Sequence, residues 1–157
     1  GEVMGISKTL GQAFMKASIG AGNPIPFEGS VFISVNNSDK MDIIPLARDL
    51  NEMGFSLIAT TGTAKELERN GLDVEHVFKV GEGRPNVVDE IKNGHINLVI
   101  NTPMGARSRF DEEAIGCACI QYGILAITTL SGANAILRAI RSKQKPLQLN
   151  SLQNYHA

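Results

Sequence analysis

Hydrophobic and polar positions along this chain alternate between two patterns, one typical of strands and one typical of helices. Short apolar runs bounded by glycine or polar residues predict β-strands over residues 30–35, 55–59, 74–80, 97–100 and 124–128. Patterns with a helical period lie between them and predict helices over residues 38–52, 63–70, 87–93, 111–122 and 131–142. The first of these is expected to have Ser38 or Asp39 as its N-cap. Strands that alternate with helices at this spacing are typical of a parallel sheet. We therefore expect an α/β, Rossmann-like three-layer sandwich: a mostly parallel sheet of about five strands with helices on both faces.

The first part of the chain does not fit this alternation. Residues 6–19 predict an amphipathic helix, and the Gly/Pro-rich residues 20–26 that follow are typical of a linker. We interpret residues 1–25 as a helical tail of a preceding domain plus a linker, and residues 26–157 as the main domain. Residues 143–157 are polar and weakly patterned.

Composition narrows the classes of partner. The 157 residues are 43% hydrophobic, which is enough for a core, and the net charge of −1 argues against a dedicated nucleic-acid binder. No apolar run reaches the ~18 residues of a membrane span. Cys117 and Cys119 are interpreted as small core residues in a cytoplasmic protein. The three histidines lack the spacing of metal ligands, so no metal site is expected.

A small hydroxyl-rich turn at Thr60–Thr63 separates a predicted strand from a predicted helix. Free N–H groups at the helix start, with Gly62 allowing close approach, would form a phosphate cradle. The alternative is an ordinary helix cap supplied by Thr60 or Thr61. In an open parallel sheet such turns gather at one rim, outside the carboxyl ends of the strands, where ligands bind.

Two lysines reach the same predicted rim. Lys40 lies in the first turn of a helix, where its charge opposes the helix dipole, and Lys79 closes a strand. Both could bind an anion; the alternatives are a solvated surface lysine and a snorkelling edge lysine. Asn101 and Thr102 follow the fourth strand and are either a capping turn or ligand contacts.

The remaining rim segments have plain structural alternatives. Residues 82–85 are either a ligand loop or a turn in which Arg84 pairs with Glu82 or Asp89. Residues 105–111 predict a mobile loop that could act as a lid, and Asp111 is interpreted as a helix N-cap. No general base, paired carboxylates or Ser-His-Asp set is placed at the rim, and His76 lies at the wrong end of its strand. Phosphate-binding groups without a general base indicate a ligand-sensing domain.

These motifs, in this order, resemble the methylglyoxal-synthase-like (MGS-like) family, and within it the C-terminal allosteric domains of carbamoyl phosphate synthetase large subunits. The matching segments are residues 34–40 (S-V-x-x-x-D-K), 59–64 (A-T-x-G-T-A), 79–85 (K-V-x-E-G-R-P), 91–94, 100–102 and 128–130. Residues 3–5 and 13–17 also resemble the end of the ATP-grasp synthetic domain that precedes such domains.

The resemblance implies binding of a nucleotide effector, with UMP inhibiting and IMP activating in bacterial members. The residues that it implies for the phosphate are Lys40, Thr60, Thr61, Gly62, Thr63 and Lys79. Those that it implies for the nucleoside are Ser34, Val80, Asn101 and Thr102. Thr128 would lie toward the neighbouring synthetic domain, where ornithine binds in some members.

The resemblance also implies a parent enzyme, an ATP-dependent ligase that makes carbamoyl phosphate for pyrimidine and arginine synthesis. Its partners would be the synthetic ATP-grasp domains of the same chain and a small glutaminase subunit, and its cofactors ATP, Mg (or Mn) and K. This domain would hold no cofactor and no catalytic residue, and its exposed surface could pair in a homo-oligomer.

Several positions depart from family patterns. Pro103 stands where some relatives have a further Thr, and Arg84 (or Pro85) and Ser108 stand where methylglyoxal synthases have a catalytic Asp and His. Asp111 matches. The alternatives are an enzyme of the methylglyoxal synthase or IMP cyclohydrolase type, and a domain that has lost effector binding. In the members that bind N-acetylglutamate, a Trp stands in the place of Lys79. This sequence contains no Trp, so a nucleotide effector is favoured.

Overall fold

The computed structural model describes residues 2–103, 109–142 and 149–155. Its described part contains a five-stranded sheet in the order β3-β2-β1-β4-β5, in which every neighbouring pair is parallel. The strands are β1 (Ser30–Ser34), β2 (Ser56–Thr60), β3 (Glu75–Val77), β4 (Leu98–Asn101) and β5 (Leu125–Ile127). The predicted parallel α/β sheet is confirmed, with a third strand shorter than the predicted residues 74–80.

The helices follow the strands as predicted. They are α1 (Leu10–Gly20), α2 (Lys40–Glu52), α3 (Thr61–Arg69), α4 (Val87–Lys92), α5 (Arg109–Tyr122), α6 (Leu130–Arg141) and α7 (Leu152–Tyr155), with a 3₁₀ turn at Asn37–Asp39 before α2.

The predicted helix caps are only partly right. Of the two expected caps of the second helix, Ser38 lies within the 3₁₀ turn. Asp39 occupies the N-cap position of α2, but its side chain forms no capping hydrogen bond. The 3₁₀ turn itself is capped by the Asn36 side chain, which accepts the Asp39 N–H at 3.0 Å. Asp111 is not an N-cap, since α5 already begins at Arg109 and Asp111 lies in its first turn.

Alternation along the central strands divides the core into two layers. Val31 and Ile33 face a cluster with residues of α2, α3 and α6, whereas Phe32 faces a cluster with residues of α4 and α5. All three side chains are fully buried. Helices therefore cover both faces of the sheet, as the sequence predicted.

Helix α1 packs directly on α6 and contributes Met15 to the larger core cluster. The two helices approach closely at Gly11, where an added Cβ would lie 2.4 Å from the Arg138 carbonyl oxygen. The assignment of residues 1–25 to a preceding domain stays a prediction. Whatever precedes it, α1 is packed against the main domain.

We expect Gly11→Ala to destabilise the fold by about 1–3 kcal/mol, the usual cost of overpacking a close contact. The matched control is Gly116→Ala in α5, where an added Cβ meets nothing within 4 Å. Alanine there should be neutral or stabilise by up to about 1 kcal/mol, because it favours a helix over glycine. Urea unfolding midpoints measure both; equal midpoints would contradict the close α1–α6 packing.

The two cysteines have different environments. Cys119 is buried, as expected, and its burial raises the pKa of the thiol to about 11. The interpretation of Cys117 as a core residue is wrong, because its side chain is exposed on α5. A helix turn of 100° per residue separates positions two apart by far more than the width of one face.

We predict that only the exposed Cys117 reacts rapidly with a disulfide reagent in the native protein at about pH 8. The Cys119 thiol, whose pKa is raised, remains protonated at this pH. Cys117→Ser should therefore abolish the rapid phase. Denaturation should release the second thiol. Two rapid phases in the native protein would contradict the burial of Cys119.

Candidate functional site

The strand register brings the predicted polar clusters to one rim. Ser34 of β1 lies beside Asn101 of β4, and Ile33 lies beside Ala59 of β2, so Thr60 is level with Ser34. Strands β1, β2 and β4 therefore end at about the same level, and the residues that follow them share one edge of the sheet.

A cleft of about 320 Å³ opens at this rim and lies in the size range of small-molecule sites. It is lined by Asn36, Asn37, Lys40, Thr60, Gly62, Thr63 and Lys79. The structure thus brings together the predicted phosphate residues except Thr61, the exposed first residue of α3. Asn36 and Asn37 were not predicted, although their place directly after β1 was a signal.

The start of α3 lacks a capping side chain. Thr60 occupies the N-cap position with extended backbone angles, yet it forms no capping hydrogen bond, and its hydroxyl donates to Ser34 Oγ at 3.3 Å. Among the other described helices, α1, α4 and α6 are capped by Thr9, Asn86 and Thr129, whereas α2 also has no capping hydrogen bond from its N-cap side chain. The capping alternative for this turn is therefore wrong, and the first N–H groups of α3 remain available at the cleft.

Both lysines of the cleft contribute positive charge. Lys40 Nζ lies 3.5 Å from the place that a Cβ on Gly62 would occupy, and Lys79 is half-buried after β3. Within the described ranges, neither lysine forms an ion pair and no carboxylate lines the cleft. Two ammonium groups and the positive end of a helix dipole together favour an anion.

A narrow chamber of about 20 Å³ adjoins the cleft and shares Thr60 and Lys79 with it. Its other lining residues are Ser34, Val87, Asn101, Asp111, Glu112 and Ile115. Neither carboxylate was predicted as a site residue, and neither were Val87 and Ile115. The missed signal is that α5 follows β4, so its first turn starts at the same rim.

Three other predicted residues lie elsewhere. Thr102 is 2% exposed, and its Oγ1 accepts the Asn36 N–H at 3.0 Å, which gives it a structural hydrogen bond. Val80 is half-buried against the α4–α5 core cluster. Thr128 is exposed and lines a separate groove between α5 and β5 together with Asn101. Their ligand roles stay predictions.

The loop alternatives are partly resolved. Arg84 pairs with Asp89, its Nε lying 3.8 Å from Oδ2, which is one of the two pairings expected. His76 is exposed on β3, with Nε2 2.7 Å from Glu68 Oε1. Most of the predicted lid, including Ser108, lies outside the described residues.

Two negative findings concern the described part of the chain alone. It has no cluster of three or more side chains that could hold a metal ion. None of its helices is long and apolar enough to cross a bilayer.

The fold and the rim cleft define a class of protein that the comparisons identify. The family model of the MGS-like domain matches residues 42–128, more than half of the chain. The chain therefore belongs to the MGS-like domain family. It also shares the fold of methylglyoxal synthase from Elizabethkingia anophelis, with a TM-score of 0.59 over 84% of this chain and 92% of that one, at 17% identity. That likeness concerns the fold alone.

The more similar relatives are carbamoyl phosphate synthase large chains. Over 99% of the present chain, the protein is 46% identical to the large chain of Archaeoglobus fulgidus. Over 100% of the present chain, it is 47% identical to that of Acidobacterium capsulatum. It is also 46% identical, over 99% of its length, to the C-terminal section of the large chain from Methanopyrus kandleri. The protein spans 15%, 14% and 29% of these relatives.

We predict that inorganic phosphate raises the melting temperature of this protein, since an anion that binds only the folded state stabilises it. Lys40→Met should reduce that increase strongly, because a charge-assisted contact contributes about 1.5–3 kcal/mol. Without phosphate, the same variant should be at least as stable as the parent, since a repulsive charge is removed.

The matched control is Lys65→Met, which removes an exposed lysine of α3 outside the cleft lining. It should keep the full response to phosphate. An equal loss in both variants would show that phosphate acts through net charge and not at the cleft.

Proposed function

We propose that this protein is the regulatory, effector-binding domain of a carbamoyl phosphate synthase large chain, and that its effector is a nucleoside monophosphate. The observation that carries the proposal is the cationic cleft at the uncapped start of α3. A phosphate there would receive backbone N–H groups and two ammonium groups, the arrangement that favours a dianion.

The chemistry of the chamber lining supports a nucleotide over a bare phosphate, and a nucleoside would have to widen the chamber, whose 20 Å³ holds about one water molecule. The Asn101 amide offers both donors and acceptors, and the carboxylate of Asp111 accepts hydrogen bonds from ribose hydroxyls. Val87 and Ile115 supply the apolar walls that a base requires. By this proposal, UMP would inhibit and IMP would activate the parent enzyme.

A regulatory role fits the groups of the cleft better than catalysis does. Its described lining consists of hydroxyls, amides, backbone and lysines. Carboxylates, those of Asp111 and Glu112, line only the adjoining chamber, and no described histidine lines either cavity as a base. Arg84 or Pro85 stands where methylglyoxal synthases have a catalytic Asp, and the Arg84 guanidinium pairs with Asp89. We propose that the domain itself is non-catalytic and yields no methylglyoxal from dihydroxyacetone phosphate.

The parent activity is part of the proposal, since the protein spans a small share of its relatives. The parent would be a cytoplasmic, ATP-, Mg- and K-dependent ligase with synthetic ATP-grasp domains in the same chain and a glutaminase subunit. Effector binding and substrate binding would be coupled reciprocally, because coupling between two sites is a shared free energy.

We predict saturable binding of UMP or IMP, but not of N-acetylglutamate, in calorimetric titrations of this protein. Lys40→Ala and Lys79→Ala should each weaken nucleotide binding by about tenfold or more, the equivalent of a lost charge-assisted contact. Lys65→Ala is the control and should bind as the parent does.

Thr63→Ala is a poorer probe of the site. Thr63 Oγ1 accepts the Val35 N–H at 3.3 Å and the residue is 1% exposed, so its removal would also leave a buried donor unpaired. The lysine variants avoid this cost. Nucleotide affinities that are unchanged in both lysine variants would contradict the proposed site.

A further inference from the structure

An exposed aromatic side chain immediately precedes Lys79. Phe78 is 48% exposed, although large apolar side chains in this fold are mostly buried in the two core clusters. Its ring lies against Gly83, where an added Cβ would be 3.1 Å from both Cγ and Cδ2 of Phe78. Phe78 thus packs on the loop that follows it, residues 79–85, which we call the Lys79 loop.

Hydrogen bonds close the base of the Lys79 loop. The Val87 N–H donates to the Phe78 carbonyl at 3.0 Å, so the backbone returns to the point where the loop started. Inside the loop, the Glu82 N–H donates to the Lys79 carbonyl at 3.1 Å, and the Lys79 N–H donates to Glu82 Oε2 at 3.4 Å. These bonds hold the first half of the loop, and the ring contacts the second half.

Gly83 and Gly81 are chemically alike but lie in different surroundings. Both are exposed glycines of the Lys79 loop, and neither has a left-handed φ. An added Cβ at Gly81 meets nothing within 4 Å, whereas at Gly83 it meets the Phe78 ring. The ring, and not the turn geometry, therefore crowds any side chain at position 83, and it would have to shift by a few tenths of an ångström to admit one.

We propose that Phe78 is a positioning residue of the anion site: its ring packs on Gly83 and holds the Lys79 loop so that the Lys79 ammonium faces the cleft and the chamber. Lys79 is shared by both cavities, so its placement affects the whole site. A loop ordered before binding does not have to lose its conformational entropy when the ligand arrives. The identity of the anion as a nucleotide rests on the proposed function; the ordering of the loop does not.

The first readout is hydrogen exchange of the Glu82 and Val87 amides in the ligand-free protein, followed by NMR. Phe78→Ala should speed the exchange of both amides, since both donate hydrogen bonds within or at the base of the loop. Phe78→Tyr, which keeps the ring, should preserve the slow exchange. Tyr122→Ala removes a comparably exposed aromatic ring of α5 and should change neither amide.

The second readout is the Kd for UMP. Phe78→Ala should raise it about five- to tenfold, within the range of effects between coupled neighbours, while Phe78→Tyr keeps the parent value. Gly83→Ala should weaken binding and Gly81→Ala should not. In the Phe78→Ala background, Gly83→Ala should have no further effect, because the ring that its Cβ would meet is absent.

The outcomes separate this inference from the proposed function. If the parent protein does not bind UMP, the nucleotide proposal fails, and the amide exchange still decides whether Phe78 orders the loop. Unchanged exchange in Phe78→Ala would overturn the positioning role. An unchanged Kd in a Phe78→Ala protein whose parent binds UMP would overturn it as well, and so would equal effects of Gly83→Ala with and without the ring.

Discussion

Hydrogen bonding of β1 to a parallel strand on each side is the constraint on which the candidate site depends. The pairing places Ser34 beside Asn101 and sets Ile33 beside both Ala59 and Ile100. Three strands consequently end at the same level, so the turns that follow them lie next to one another. Burial of the apolar strand residues on both faces stabilises this register, because a slip by one residue would expose them.

The charges at the rim oppose folding locally and favour a ligand. Lys40 opens one helix and lies close to the uncapped start of another, so it meets the positive ends of two helix dipoles. Burial of the apolar core offsets this electrostatic repulsion, and a bound anion would be attracted by the same lysine and helix dipoles. Local violations of capping and charge rules are expected at functional sites, and here they coincide at one cleft.

Periodicity was sufficient to predict the order of strands and helices along the sequence and the rim that gathers Lys40, Gly62 and Lys79. It did not locate the start of α2 or α5, because a cap depends on side-chain geometry near the boundary. Before α2, the Asn36 side chain, and not that of Ser38, accepts the capping hydrogen bond. The carboxylates of α5 were missed for a related reason. A helix period shows which residues share a face, but not which face turns to a neighbouring strand end.

The central claim is that the start of α3 and the two lysines together form an anion site. Its most direct test is an NMR titration of this protein with inorganic phosphate, followed through the backbone amides. We expect saturable shifts at Gly62, Thr63 and Lys79, with none in the groove at the opposite edge of the sheet around Gly54 and Ser56. Shifts confined to that opposite edge, or none that saturate, would contradict the claim.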